Sequence, residues 1–164
     1  MSVYAEAKLI GQARLLAAEY RRTMGKPLPG ISSEIALHDA IRLLSLAPAD
    51  ATAGGIDAID PERGNKKIQI KSRTIFDESK SGQRIGQLNV EQSWDSVLLV
   101  LMDEEYEPYE IYEAEREELL EYMQKSSSNR AKRGALSVAR FKNIGQLVWA
   151  RDGGLDPELW DNQA

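Results

Sequence analysis

A chain of 164 residues, 42% hydrophobic and 29% charged, has the length and make-up of one globular domain, not of a disordered or fibrous chain. The absence of cysteine excludes disulfides, thiolate catalysis and zinc ribbons and suits a reducing compartment, so a cytoplasmic location is expected. Glu6, Lys8 and Arg14 interrupt the first apolar pattern and rule out a signal peptide or membrane span there, while a net charge of −5 speaks, on average, against a polyanionic partner.

Residues 4–24 carry Ala7, Leu9, Ile10, Ala13, Leu15, Leu16 and Tyr20 at helical spacing and stop at the breaker run 25–30, which predicts a first helix. A second helix is predicted from a cap at Ser32 or Ser33, with Leu37, Ile41 and Leu44 as its apolar row, up to Pro48. After the small-residue loop 49–55, the runs 55–60 and 66–72 read as an antiparallel strand pair joined by the Pro-Glu-Arg-Gly-Asn turn at 61–65. Residues 74–93 read as a long polar loop, and the continuous apolar run 96–102 as a central strand buried on both faces. A further strand over 108–115, a helix over 115–124, a basic loop over 126–134 and a last helix over 138–149 capped by Ser137 complete the order. The sum is an α/β domain over 1–150, a mixed sheet of about four strands covered by helices on both faces, with 151–164 as a loosely attached tail.

Charge is separated along this order. Residues 63–84 hold seven basic residues against two acidic and 125–142 hold six against none, whereas 103–121 hold ten acidic residues against Arg116 alone. Solvated faces are the plain explanation; two basic edges for a phosphate backbone are the functional one.

Strand alternation in Ile68-Gln69-Ile70-Lys71 sends the isoleucines one way and Gln69 with Lys71 the other. By itself this is an amphipathic strand. Asp57, set among Ile56, Ala58 and Ile59, adds weight because aspartate is depleted inside strands, and the 61–65 turn places it within pairing distance of 69–71. A structural ion pair between Asp57 and Lys71 is the competing explanation. Asp60, immediately before Pro61, reads as a turn starter and stays outside the site. Glu34 heads the row Leu37, Ile41 and Leu44 and is therefore expected to face inward, although a carboxylate in a first helical turn is also favoured by the helix dipole alone. His38 is the only histidine, which excludes a histidine zinc site, and no nucleotide-binding glycine motif is present.

Glu34 on an early helix, Asp57 in Gly-Ile-Asp-Ala-Ile-Asp and Gln69-Ile70-Lys71 before Ser72 and Arg73 together resemble the PD-(D/E)XK nuclease superfamily. The likeness is to its QXK branches, as in small uncharacterised restriction-endonuclease-like proteins, and extends to 29–36 and 134–149. The resemblance implies a three-layer α/β/α sandwich of restriction-endonuclease-like type that cuts DNA phosphodiester bonds. It also implies Asp57, the Gln69 side-chain oxygen and the Ile70 carbonyl as ligands of Mg2+ or Mn2+, and Glu34 for a second cation or its water. Lys71 would orient the attacking water and offset charge on the phosphate. Arg73, Lys80, Arg84, Arg130, Lys132 and Arg133 are the expected DNA-positioning residues, and a homodimer is compatible with the reading. Two departures stand out: Ile56 replaces the motif's proline, and Gln69 replaces an acidic residue and so removes a charge from the cation site. A non-catalytic nucleic-acid-binding module on the same scaffold, and a protein-interaction subunit using the acidic run 103–121, are the alternatives.

Overall fold

A computed structural model of the chain describes residues 3–50, 54–77, 82–126, 129–132 and 134–155. Its elements are α1 (Val3–Met24), α2 (Ser32–Leu43), β1 (Ala47–Pro48), β2 (Ala58–Asp60), β3 (Lys66–Thr74), β4 (Ser96–Met102), β5 (Pro108–Glu115), α3 (Arg116–Lys125), α4 (Asn129–Lys132), α5 (Val138–Ile144), β6 (Gln146–Ala150) and β7 (Gly154–Leu155). The strands form one mixed sheet in chain order, β1 to β7; β3 and β4 run parallel and every other neighbouring pair is antiparallel.

The sheet is wider than the expected four strands. The three additions are the two-residue β1 and β7 at the edges, and β6, which takes the second half of the segment expected to be helical over 138–149. Ser137 does cap α5, its hydroxyl accepting the Arg140 N–H at 3.1 Å, but the helix ends at Ile144. At Gly145 the chain runs so close to β5 that an added Cβ would lie 2.7 Å from the Glu113 carbonyl, and Gln146–Ala150 then pairs with β5. A helical moment over 138–149 could not register this change, because Val148 and Trp149 satisfy either period.

β4 organises the interior. All seven of its residues are buried, and alternation divides them: Leu98, Val100 and Met102 join a cluster with Ala17, Ala18, Ile35, Ala36 and Ala40 of α1 and α2. Val97, Leu99 and Leu101 join a second cluster with Leu119, Met123 and Phe141 of α3 and α5. Each buried Leu or Val contributes roughly 1.5–3 kcal/mol of transfer free energy, so the strand anchors both faces of the sheet at once.

A parallel β3–β4 pair needs a crossover, and here it is the largely irregular 75–95 segment. Ile85, Leu88 and Trp94 from this segment pack into the second cluster, so it acts as a lid on that core. Arg116 pins its end: the guanidinium lies 4.6 Å from the Trp94 ring centre and donates to the carbonyls of Gln92 at 2.8 Å, Trp94 at 2.9 Å and Val90. The Ile85 N–H to Leu136 carbonyl bond and the Leu88 N–H to Gly134 carbonyl bond tie the same segment to the 134–137 loop.

The two N-terminal helices differ in part from the expected faces. On α1 the buried residues are Ala17 and Ala18, while Leu9, Leu15 and Leu16 are exposed. On α2 the buried residues are Ile35, Ala36, Asp39 and Ala40; of the expected row, Leu44 is buried in the same cluster, Ile41 packs against it and Leu37 is half-buried. Asp39 is fully buried, and Arg14 of α1 grips both its carboxylate oxygens at 2.8 and 2.9 Å, which ties α2 to α1. Neither Ser32 nor Ser33 caps α2; the N-cap residue is Ile31, which has no side-chain acceptor to offer.

Candidate functional site

The β2–β3 pair forms with the expected antiparallel register, Ala58 opposite Ile68 and Asp60 opposite Lys66. Its connection is a 3-10 turn at Pro61–Arg63 followed by Gly64 and Asn65 at positive φ. Asp60 is the turn starter anticipated from sequence: its carboxylate accepts the Glu62 N–H at 3.0 Å and pairs with Arg63 at 2.6 Å. Arg63 also grips Glu113 of β5 with two N–H groups at 2.8 and 3.0 Å, and Glu113 accepts the Ser96 hydroxyl at 2.7 Å. Burial opposes the charge on Arg63, yet the bonds to Glu113 and Asp60 outweigh it and raise its pKa. This largely buried network holds the lower end of the hairpin against the sheet; residue spacing gave no sign of it.

At the other end, β2 begins only at Ala58, so β3 outruns its partner. The Asp57 carboxylate fills the gap: Oδ2 accepts the Ile70 N–H at 2.7 Å, in place of the backbone carbonyl that a longer β2 would supply. The strand-disfavoured aspartate thus has a structural task, one different from the expected competing explanation. No Asp57–Lys71 ion pair is formed among the described residues.

Gln69 is 6% exposed. Its Nε2 donates to the Gly55 carbonyl at 3.0 Å and to Gln92 Oε1 at 3.2 Å, which draws the crossover and the 54–57 segment against β3. Because a carbonyl oxygen cannot donate, Gly55 fixes the amide orientation and turns Gln69 Oε1 the other way, where it is buried and has no hydrogen-bond partner among the described residues. Gly55 is at φ 79°, and a Cβ there would lie 2.3 Å from the Gln92 side chain, so glycine is needed both for the backbone and for the close approach. Gly55 and Gln92 were not singled out from sequence; the glycine pair at 54–55 was the available signal, and Gln92 had none.

Lys71 is half-buried, two residues further along the same strand face as Gln69. An added Cβ on Gly86 would lie 3.5 Å from its Nζ, so the crossover leaves room beside the ammonium at that point. Asp57, Gln69 and Lys71 therefore gather around one stretch of β3, with Asp57 against the backbone of Ile70. Glu34 does not join them by any contact among the described residues; it is exposed in the first turn of α2.

The fit of this arrangement to a divalent cation is partial. An orphaned buried amide oxygen and a carboxylate with one oxygen engaged are hard donors of the kind such ions take. Among the described residues, however, no group of three or more His, Cys, Asp or Glu is placed to hold a metal ion.

Of the expected DNA-positioning residues, Arg73 and Lys132 are exposed. Arg84 is half-buried and donates to the Ala135 carbonyl at 3.2 Å, so part of its guanidinium serves the loop contact. Lys80, Arg133 and the side chain of Arg130 lie outside the described residues. The acidic run 103–121 is mostly neutralised from within: Arg151 pairs with Asp103, Arg22 with Glu105, Arg14 with Glu107, Lys142 with Glu110, Lys66 with Glu115 and Lys125 with Glu121. No described helix is long and apolar enough to cross a membrane. No protein-family model and no curated protein matches the chain.

Proposed function

We propose that the chain is a divalent-cation-dependent DNA nuclease of PD-(D/E)XK type, built on a three-layer restriction-endonuclease-like arrangement. Helices packed on both faces of a mixed sheet agree with that arrangement. The observation that carries the reading is the buried Gln69 Oε1, without a hydrogen-bond partner among the described residues, on a side chain whose Nε2 is bonded to the segment that holds Asp57. A buried acceptor left without a donor costs about 1–3 kcal/mol, a cost that a bound cation would remove.

Asp57 and Gln69, with the Ile70 carbonyl, would hold Mg2+ or Mn2+, which would supply Lewis-acid polarisation of the phosphate and its water. Lys71 stands two residues along, its Nζ 3.5 Å from where a Gly86 Cβ would lie, and its ammonium would orient the attacking water and offset the negative charge that builds on the phosphate oxygens. Glu34 is given no direct contact. Arg73 and Lys132 position the strand through its phosphates.

Lys71→Ala tests the reading. Cation-dependent cleavage of plasmid or single-stranded DNA should fall by at least about two orders of magnitude, the scale of a lost electrostatic contact in a transition state. The melting temperature should stay near that of the parent, because no described residue pairs with Lys71. Absence of cleavage by the parent protein across Mg2+, Mn2+ and several DNA forms would remove the proposal.

The replacement of an acidic residue of the motif by Gln69, with no carboxylate cluster among the described residues, favours one second reading, a nucleic-acid-binding module that keeps the scaffold without the chemistry. DNA binding that weakens with salt but persists in a chelator, with no cleavage, would select it. The protein-interaction alternative loses its main motive, since the acidic run is largely spent on internal ion pairs.

A further inference from the structure

A second cleft lies at the C-terminal end of β3, on the side of the sheet covered by α1 and α2. Its volume is about 370 Å³, within the roughly 300–1,000 Å³ typical of small-molecule sites. Thr74 Oγ1 and the Tyr106 hydroxyl are both buried there without a hydrogen-bond partner, and Tyr106 is 1% exposed. Arg73 and Ser32 line the same cleft, and Ser32 opens α2, whose N-cap Ile31 leaves the first-turn amides without a side-chain acceptor. An adjoining cleft shares Thr74 and Phe76 and adds Arg21, whose guanidinium sits 4.2 Å from the Phe76 ring centre. Burial raises the pKa of Tyr106, and the Arg21 charge opposes that rise, which places the guanidinium within electrostatic reach of the hydroxyl.

The groups brought together on this side are donors: two hydroxyls, uncapped helix amides and the Arg21 guanidinium. Their complement is a compact, multiply charged acceptor. Asp77 lines the outer cleft and Glu34 lies in the first turn of α2, but both are exposed and screened by solvent. Pro27, Leu28 and Phe76 add an apolar wall on which an organic body can rest.

We propose that this cleft binds a phosphate group, free or as the monoester of a small molecule, through Tyr106, Thr74, Arg21 and the start of α2. Ser72 and Thr74 continue the alternation of Ile68 and Ile70, which face α1 and α2, whereas Gln69 and Lys71 point to the opposite side. The cleft is therefore a site distinct from the Asp57–Gln69–Lys71 group, and it stands whether or not the chain cuts DNA.

Calorimetric titration of the full chain with inorganic phosphate, adenosine 5′-monophosphate and adenosine tests the inference. Phosphate and the monophosphate should bind and adenosine should not. A monophosphate tighter than phosphate assigns the apolar wall to the organic body; equal affinities assign the cleft to free phosphate. Tyr106→Phe and Thr74→Val each delete a hydroxyl that satisfies nothing in the free protein, so both should melt at or above the parent temperature. Each should weaken phosphate binding about tenfold or more, the scale of one hydrogen bond to a charged group. Arg21→Gln should weaken it as well. Failure of the parent to bind either phosphate, or unchanged affinity in all three variants, overturns the inference.

Discussion

At Gln69 a single amide carries two jobs that pull on different atoms. Nε2 is committed to Gly55 and Gln92, so its nitrogen end is a structural clamp, while Oε1 is a buried acceptor in need of a partner. Replacing it separates the two. Gln69→Glu sets a carboxylate oxygen against the Gly55 carbonyl and Gln92 Oε1, and the protein should lose about 1–3 kcal/mol of stability in chelator, read by urea unfolding. Added Mg2+ or Mn2+ should recover most of that loss in the variant, because the new charge strengthens the cation site; no recovery would count against a cation at this position. Gly55→Ala probes the clamp from the other side. The left-handed backbone alone should cost about 1–2 kcal/mol, and displacement of Gln92 should release the Gln69 amide, seen as faster hydrogen exchange over the 54–57 segment.

At the scale of elements, the decisive event is the docking of α2. Ile41 and Leu44 of the row expected from spacing reach the core, but so does Asp39, a carboxylate that apolar spacing alone would leave in solvent. The Arg14–Asp39 pair decides otherwise, since a carboxylate removed from water is tolerated only with its charge matched. The same guanidinium donates to the Tyr106 carbonyl, which couples α1, α2 and the β4–β5 turn through one side chain. Asp39→Ala should therefore cost about 3–5 kcal/mol in chemical denaturation, more than most truncations of a surface carboxylate, because Arg14 would be left largely buried with only the exposed Glu107 carboxylate at 3.4 Å to match its charge. A loss below about 1 kcal/mol would show that apolar packing, not the ion pair, holds α2 in place.

For the molecule as a whole, stability should fall at both ends of the pH range for separate reasons. Burial works against the charge on Asp103, but its bond to Arg151 and the Glu107 and Glu105 N–H groups outweigh that and lower its pKa in the folded state. Its contribution is present above the ordinary carboxylate range and is lost as pH falls through the depressed value, so Asp103→Asn should flatten the acid limb of a stability–pH profile. Tyr112 behaves oppositely: burial, then the nearby Glu110 charge, push it up to about 12. The unfolded chain gives up that proton near the usual 10 while the folded chain must retain it, so stability should decline as pH rises between about 10 and about 12. Tyr112→Phe should remove that alkaline slope, measured by thermal unfolding across the same window.

Much of the architecture was legible because it rests on local rules. Six consecutive apolar residues at 97–102 read as a strand buried on both faces, the 61–65 turn joined an antiparallel pair, and alternation alone set Gln69 and Lys71 on one side of β3. The switch from α5 to β6, the burial of Asp39 and the exposure of Glu34 were not legible. The first two depend on partners distant in the chain: Glu113 against Gly145, Arg14 against Asp39. The residues alone determined which side chains could do chemistry on a phosphate. Only the tertiary structure decided which of them meet, because a buried charge or a close backbone approach is resolved between segments, where periodicity along one segment carries no information.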